Sequence, residues 1–212
     1  MSTYPVFSAL RPLGSRIVIA THNDGKLREF RELLGFCGSA IVSAGQLGLP
    51  SPEENGATFS ENAILKAKTA ALASGSVALA DDSGLCVTSL DGRPGIYSAR
   101  WAEPKGDFTA AMQRIQNELG DEPDRSAFFM CVLALCWPDG VYKCIEGRVD
   151  GTIAPAPRGK HGHGYDPIFI PRDETRTFAE MTDKEKNAIS HRGMATKSLI
   201  EKFFTQGQRS MI

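Results

Sequence analysis

The chain lacks the features by which several protein classes are recognised. Its longest unbroken apolar run, Ala127 to Trp137, falls well short of the ~18 residues that a membrane-spanning helix needs. No cationic segment followed by an apolar one stands at its start, so neither an anchor nor an export signal is expected. Cysteine is sparse and unpatterned. Cys37, Cys86, Cys131, Cys136 and Cys144 are odd in number and contain no C-x-x-C pair, which excludes a zinc knuckle and a disulfide framework. They read as reduced, mostly core thiols of a cytoplasmic protein. Neither sign of charge prevails, with Lys+Arg 24 against Asp+Glu 25 and a formal net charge of -1. Together with an aromatic content of 8%, this argues against a nucleic-acid groove built on counterion release and base stacking. There is no internal repeat and no linker that would separate independent domains.

What remains is a chain of 212 residues, 42% hydrophobic and 23% charged, with ample length for a sizeable core. Residues 1–15 carry Pro5 and Pro12 without a clear period and read as a loose extension before a single domain over 16–212. Ile17 to Ala20 is a β-branched strand, after which Leu27, Phe30 and Leu34 recur at helical spacing and Gly35 fits a C-cap. Ile41-Val42 predicts a short strand and Gly45 to Gly56 a loop. Thr58-Phe59-Ser60-Glu61 has capping-box form, with Phe59, Ala63, Ala67 and Ala70 on one face. Val77 to Ala80 predicts a buried strand that ends at Asp81-Asp82-Ser83-Gly84. Phe108, Ala111, Met112, Ile115 and Leu119 trace an amphipathic helix closed by Gly120. Ala127 to Trp137 reads as a central strand with an antiparallel partner in Val141 to Val149. A glycine-rich loop, Gly159 to Gly164, leads to Pro167-Ile168-Phe169-Ile170, and a last helix begins near Ser190. Strands interleaved with helices, plus one hairpin, imply an α/β fold with a mixed sheet.

Polar residues without a packing role fall at strand ends, where α/β proteins bind ligands. Thr21 to Lys26, between a strand and a helix, reads as a plain capped turn or as a polyphosphate site made of backbone N–H groups, a hydroxyl, an amide and an ammonium. Its spacing is not that of a Walker loop. Asp81 and Asp82 are either the solvated acids of a turn or, if the strand pleat persists, carboxylates pointing to opposite sides, one toward a cleft. A carboxylate beside a hard divalent cation can deprotonate water, and Glu53 and Glu54 are candidates for a second ligand. His161-Gly162-His163 lacks the companions of a zinc site. Lys184 to Arg192 reads as a solvated surface, yet His191 and Arg192 put cations at a helix N-terminus, against the macrodipole preference, which hints at an anion there.

Six ordered motifs tie these signals together: Thr21-x-Asn23-x-x-Lys26, Glu61-Asn62-Ala63-x-x-Lys66-Ala67, Ala80 to Leu85, Pro94 to Arg100, Gly164 to Phe169, and Ser190-His191-Arg192-Gly193. The series, spread from about Arg16 to Phe204, resembles the Ham1/RdgB family of inosine triphosphate pyrophosphatases. The resemblance implies a long mixed β-sheet flanked by helices, in two lobes around a central cleft. It implies a homodimeric, Mg²⁺-dependent hydrolase that takes ITP, dITP, XTP and dXTP to the monophosphate and pyrophosphate. By matching motif, Thr21, His22, Asn23, Asp24, Gly25 and Lys26 would hold the triphosphate, with Lys66 and Arg100 adding positive charge. Asp82 would be general base and metal ligand, Glu53 the other ligand with Glu54 as its neighbouring alternative, and Ser83 a substrate contact. His163, Gly164, Tyr165, Asp166, Lys186, His191 and Arg192 would surround the purine. Two departures stand out: His22 where the family commonly has glycine, and His163 where it commonly has phenylalanine. An imidazole at position 163, with an ordinary pKa of about 6.5, is expected to charge near neutrality. Maf-type nucleotide pyrophosphatases share a similar fold but have a serine- and arginine-rich first loop that is absent here, and a non-catalytic nucleotide-binding module is the reading of a different class.

Overall fold

The computed structural model describes residues 11–35, 38–103 and 106–203, without the Asp24 side chain. The first ten residues of the expected extension, Cys37 and the Asp24 side chain lie outside the described residues. Within them the chain runs β1 (Arg16–Ile19), α1 (Asp24–Leu34), β2 (Ala40–Ser43), α2 (Phe59–Ser74), β3 (Val77–Val87), α3 (Phe108–Leu119), β4 (Ser126–Cys136), β5 (Tyr142–Ile153), β6 (Phe169–Pro171), α4 (Asp183–Ile189) and α5 (His191–Phe203). The sheet order is β2-β1-β3-β4-β5-β6, parallel from β2 to β3 and antiparallel from β3 to β6. This is the mixed α/β sheet that the sequence predicts. Among the described residues, no helix is long and apolar enough to cross a membrane.

The strand expected to stop at Ala80 continues to Val87. The physical reason is β4, which pairs with it along its length, with Asp81 opposite Leu133, Asp82 opposite Val132 and Val87 opposite Ala127. A chain break at Asp81 would leave buried backbone groups without partners. The pleat therefore persists through the two acids and sends them to opposite faces.

On one face, Leu79 joins Ile17, Ile19, Phe30, Leu133, Leu135 and Leu199 in a core beneath α1 and α5. Six residues further along the same face, Leu85 joins Val87, Ile115, Phe129, Phe169 and Phe178 in a second core beneath α3. Asp81 and Ser83 occupy the interval, so a polar stretch of β3 separates the two cores on this sheet face. On the other face, Ala78, Ala80 and Ala134 lie under Ala63, Ala67, Ala70 and Ala71 of α2. These small side chains let the helix lie close to the strands.

Local chemistry sets the helix ends. Asn23 caps α1 by accepting from the Gly25 and Lys26 amides, and Thr58 caps α2 by accepting from the Glu61 amide. The Glu61 carboxylate reaches one residue further back than in a capping box, to the Ala57 amide at 2.7 Å. Gly147 of β5 passes under the start of α5, and a Cβ there would collide with the His191 carbonyl and the Ala195 backbone. Only glycine lets α5 seat its first turn on the sheet. Cys131 and Cys86 are buried in the sheet, and burial pushes their thiols up to about 12 and about 11, consistent with reduced core cysteines.

The described part of the expected loose extension is attached. Trp137 donates its indole N–H to the Pro12 carbonyl at 3.0 Å, Ser39 donates to the Gly14 carbonyl at 2.8 Å, and Leu13 packs against the first core. Arg11 pairs with Asp139 on the surface, where such a bridge contributes little. Leu13→Ala is therefore expected to lower unfolding free energy by about 1–2 kcal/mol, the scale of a partly buried leucine side chain, as read by denaturant titration. An unchanged midpoint would show that the segment only rests on the sheet.

Candidate active site

On the α2 face of β3, Asp82 receives the Lys66 ammonium at 2.9 Å on Oδ1, and the same ammonium donates to Glu54 Oε1 at 2.7 Å. Lys66 points inward because it follows Ala63 on the helix face that covers the sheet. Asn62, one turn earlier, accepts from the Gly56 amide and approaches Asp82 Oδ2 at 3.4 Å. The sequence motifs did not single out Asn62 for this work, although it lies inside one of them. Burial, with the nearby Glu54 and Asp81 charges, raises the Asp82 carboxyl above its ordinary range against the pull of Lys66. The Lys66 ammonium, opposed by burial, is held above its own ordinary value by Asp82, Asp81 and Glu54. Arg100 donates to the Glu54 carbonyl and so pins the loop that brings Glu54 in.

The structure brings Glu54, not Glu53, to Asp82. Glu53 is exposed and Glu54 half-buried. Adjacent residues of an extended loop project to opposite sides, so only one of the two can face Lys66. Two carboxylates around one ammonium leave surplus negative charge, and Asp82 Oδ2 carries only the long Asn62 contact. That donor set fits a hard divalent cation that completes its shell with water and phosphate oxygens. No group of three or more His, Cys, Asp or Glu side chains able to hold a metal occurs among the described residues.

On the opposite face of β3, Asp81 is buried and takes both ends of a second cluster. Lys26 donates to its two oxygens at 2.9 and 3.0 Å, Arg192 Nη2 donates to Oδ2 at 3.0 Å, and Ser83 Oγ donates at 3.2 Å. Arg192 Nη1 donates to Glu29 Oε2 at 3.0 Å. Burial opposes the Asp81 charge, but Lys26, Arg192 and Lys66 outweigh it and hold the carboxyl far below its usual range. The anion that the helix N-terminus of α5 was expected to attract is thus supplied by the protein itself, as Asp81 and Glu29. The buried His191 ring stacks on Phe129, centroids 4.7 Å apart and planes 9° apart, and Nδ1 has no hydrogen-bond partner among the described residues. Burial, then the Arg192 and Lys186 charges, keep that imidazole well below its ordinary pKa and neutral.

Next to this cluster opens a cleft of about 620 Å³, lined by α1 through Lys26 and Glu29, by the glycine loop through His163, by Lys186 of α4, and by Phe108. Its size suits a small-molecule ligand. Asp166 is buried and accepts from the His163 amide at 2.8 Å and from Lys186 Nζ at 2.5 Å, tying the loop to α4. Tyr165 is buried and gives its hydroxyl to the Ser98 carbonyl at 2.8 Å, so it supports the cleft from behind. Enclosure by the cleft walls, then the Lys186 charge, lower the His163 pKa against the pull of Asp166. The imidazole is therefore harder to charge near neutrality than an ordinary histidine.

Two more expectations at the first loop change. The Gly25 and Lys26 amides, foreseen as phosphate donors, are taken by Asn23 Oδ1 at 2.8 and 3.1 Å, and Thr21 Oγ1 accepts from the Asn23 amide. His22 turns aside, its Nε2 2.9 Å from the Leu49 carbonyl. Phe108 and Glu29, which the motifs left out, belong to the site. Phe108 was hidden among the apolar positions of an amphipathic helix, and no local signal marks Glu29.

Comparison with known proteins gives concordant findings. A sequence model of the Ham1 family matches residues 17–202. A dITP/XTP pyrophosphatase from Gluconobacter oxydans is 56% identical, the match covering 88% of this chain and 90% of that protein. One from Rhodospirillum centenum is 53% identical over 90% of this chain and 96% of its own length. A solved HAM1 protein from Coxiella burnetii superposes with a TM-score of 0.84 at 42% identity, covering 88% of this chain and 97% of that one.

The neutral, buried His191 generates a pH dependence. Its folded pKa is depressed, so its contribution to stability is present above the unfolded value of about 6.5 and is lost as pH falls below it, because the unfolded chain takes up the proton first. The loss should reach at most ~1.4 kcal/mol per pH unit. Denaturant unfolding at pH 7, 6 and 5 should show this slope in the wild type, and His191→Gln should lack it. Equal slopes in the two proteins would refute a buried neutral imidazole.

Proposed function

The chain belongs to the Ham1 family, and from that membership we infer that it hydrolyses non-standard purine nucleoside triphosphates, ITP, dITP, XTP and dXTP, to the monophosphate and pyrophosphate. The observation that carries the reading is the Asp82–Lys66–Glu54 cluster on one face of β3, with the Lys26–Asp81–Arg192 cluster and a nucleotide-sized cleft on the other.

Asp82 is the proton acceptor for the attacking water. A carboxyl raised by burial is a stronger base than a solvent-exposed one, and Lys66 fixes one oxygen while the other carries only the long Asn62 contact. Mg²⁺, held by Asp82 and Glu54, would supply a Lewis acid for the phosphate oxygens. Lys26 and Lys66 provide positive charge for the departing pyrophosphate, while Arg100 acts on the site by holding the Glu54 backbone. Lys186, kept at the cleft by Asp166, offers its remaining protons to a 6-oxo group. The 6-amino group of adenine would confront it with another donor, and selection follows as a difference of affinities. His163 lines the same cleft, whereas Tyr165, His191 and Arg192 lie behind its wall.

The same reading includes a homodimer with no nucleic-acid or membrane partner, working in the cytoplasm. Leu72, 64% exposed, and Tyr142, 41% exposed, are apolar side chains open to such a self-contact.

With Mg²⁺ and dITP or XTP, the protein is expected to release pyrophosphate and a monophosphate, with a much lower kcat/KM for dATP. Stepwise orthophosphate release would reject the reaction, and nucleotide binding without any product would leave a non-catalytic module. Asp82→Asn should lose about 10²–10⁴ in kcat while remaining folded. The geometry further predicts that Glu54→Gln raises the Mg²⁺ concentration needed for half-maximal rate about tenfold and that Glu53→Gln leaves it unchanged. The reverse pattern would return the ligand role to Glu53.

A further inference from the structure

The cleft has one feature that its charged lining does not explain. Lys26, Glu29, His163, Asp183 and Lys186 are among the residues that give it a polar wall, and among the described residues Phe108 is the only large apolar side chain that lines it. Phe108 opens α3, capped by Asp107, and belongs by helical spacing to the apolar stripe that buries Ala111, Met112, Ile115 and Leu119. Those four are buried, but Phe108 is half-exposed and only skirts the second core.

Its ring is held in a fixed plane. It meets Tyr165 edge to face, centroids 5.3 Å apart and planes at 87°, and the Tyr165 hydroxyl is itself anchored on the Ser98 carbonyl. A Cβ built on Gly164 would lie 3.5 Å from the Phe108 ring, so the glycine backbone runs along it. Tyr165 and Gly164 thus back the ring, which also lines the cleft. A purine is a flat π surface, and stacking on an aromatic side chain stabilises it independently of hydrogen bonds. The His163 imidazole lines the same cleft and adds a second flat group.

We propose that Phe108 is the surface against which the purine base packs, and so is a determinant of affinity for the base rather than for the triphosphate. The proposal rests on the nucleotide reading above and adds to it a residue from outside the motif series.

The test separates base from phosphate. Inosine monophosphate and inorganic tripolyphosphate are titrated by calorimetry into the full chain and into Phe108→Ala, Phe108→Leu and Phe108→Trp, with thermal unfolding of each variant measured alongside. Phe108→Ala is expected to weaken inosine monophosphate about tenfold or more, Phe108→Leu nearly as much, and Phe108→Trp hardly at all, with tripolyphosphate binding the same in all four. An unchanged inosine monophosphate affinity in Phe108→Ala would overturn the proposal. So would a parallel weakening of both ligands, or full recovery by leucine, since either would make Phe108 a packing residue. Wild-type turnover of dITP is scored separately: if it fails while base binding still depends on Phe108, the catalytic reading falls and the stacking role stands.

Discussion

Asp81 is a buried carboxylate surrounded by two cations from distant parts of the chain, Lys26 of α1 and Arg192 of α5. Taking such charges out of water costs several kcal/mol per ion, and only close pairing with hydrogen bonds offsets it. The cluster satisfies that condition through four hydrogen bonds on two oxygens, and Glu29 takes the second arm of Arg192. An uncompensated member would carry a penalty of about 3–5 kcal/mol, so α1, β3 and α5 are held to one arrangement. Gly147 makes that arrangement possible, since any side chain there would lift the first turn of α5, and with it Arg192, off the sheet.

The second consequence of the same strand is separation. Because β3 keeps its pleat through Asp81 and Asp82, neighbouring carboxylates sit in opposed electrostatic surroundings. One is held far below its ordinary pKa and serves as a fixed anion, while the other is raised and retains basicity. Adjacent acids thereby acquire different work without any difference in residue type. The polar interval that they and Ser83 make in an otherwise apolar strand is also what divides the core of this face into two clusters. The division of the core and the placing of the chemistry are one structural event.

The cleft itself is built in layers. Tyr165 and Asp166 form a rigid backing, with the hydroxyl and carboxylate both engaged by the protein. In front of them stand groups with free capacity: the Lys186 ammonium, the His163 ring and the Phe108 ring. This explains why a motif can contribute so heavily to a site when only some of its residues face the ligand. The rest hold the loop at the distance where recognition works.

The sequence by itself determined most of the elements, though not the run of β3 past Ala80 or helix α4, together with the mixed α/β class and the family, because hydrophobic period, caps and motif spacing are local properties that each segment carries with it. Leu27, Phe30 and Leu34 specify a helix, and Asn23 caps it, wherever that segment is placed. The tertiary structure alone decided which charges meet. Whether Glu53 or Glu54 faces Lys66 depends on the path of a loop pinned by Arg100, 46 residues away. That Arg192 answers Asp81 rather than a ligand depends on a contact across 111 residues. The lowered pKa values of His163 and His191 follow from desolvation and from cations brought in by folding. Phe108 has the same residue type and spacing as its buried neighbours on α3, and it lines a cleft only because Tyr165 and Gly164 occupy the space behind it. Electrostatics and exposure are sums over neighbours in space, and one-dimensional order does not contain them.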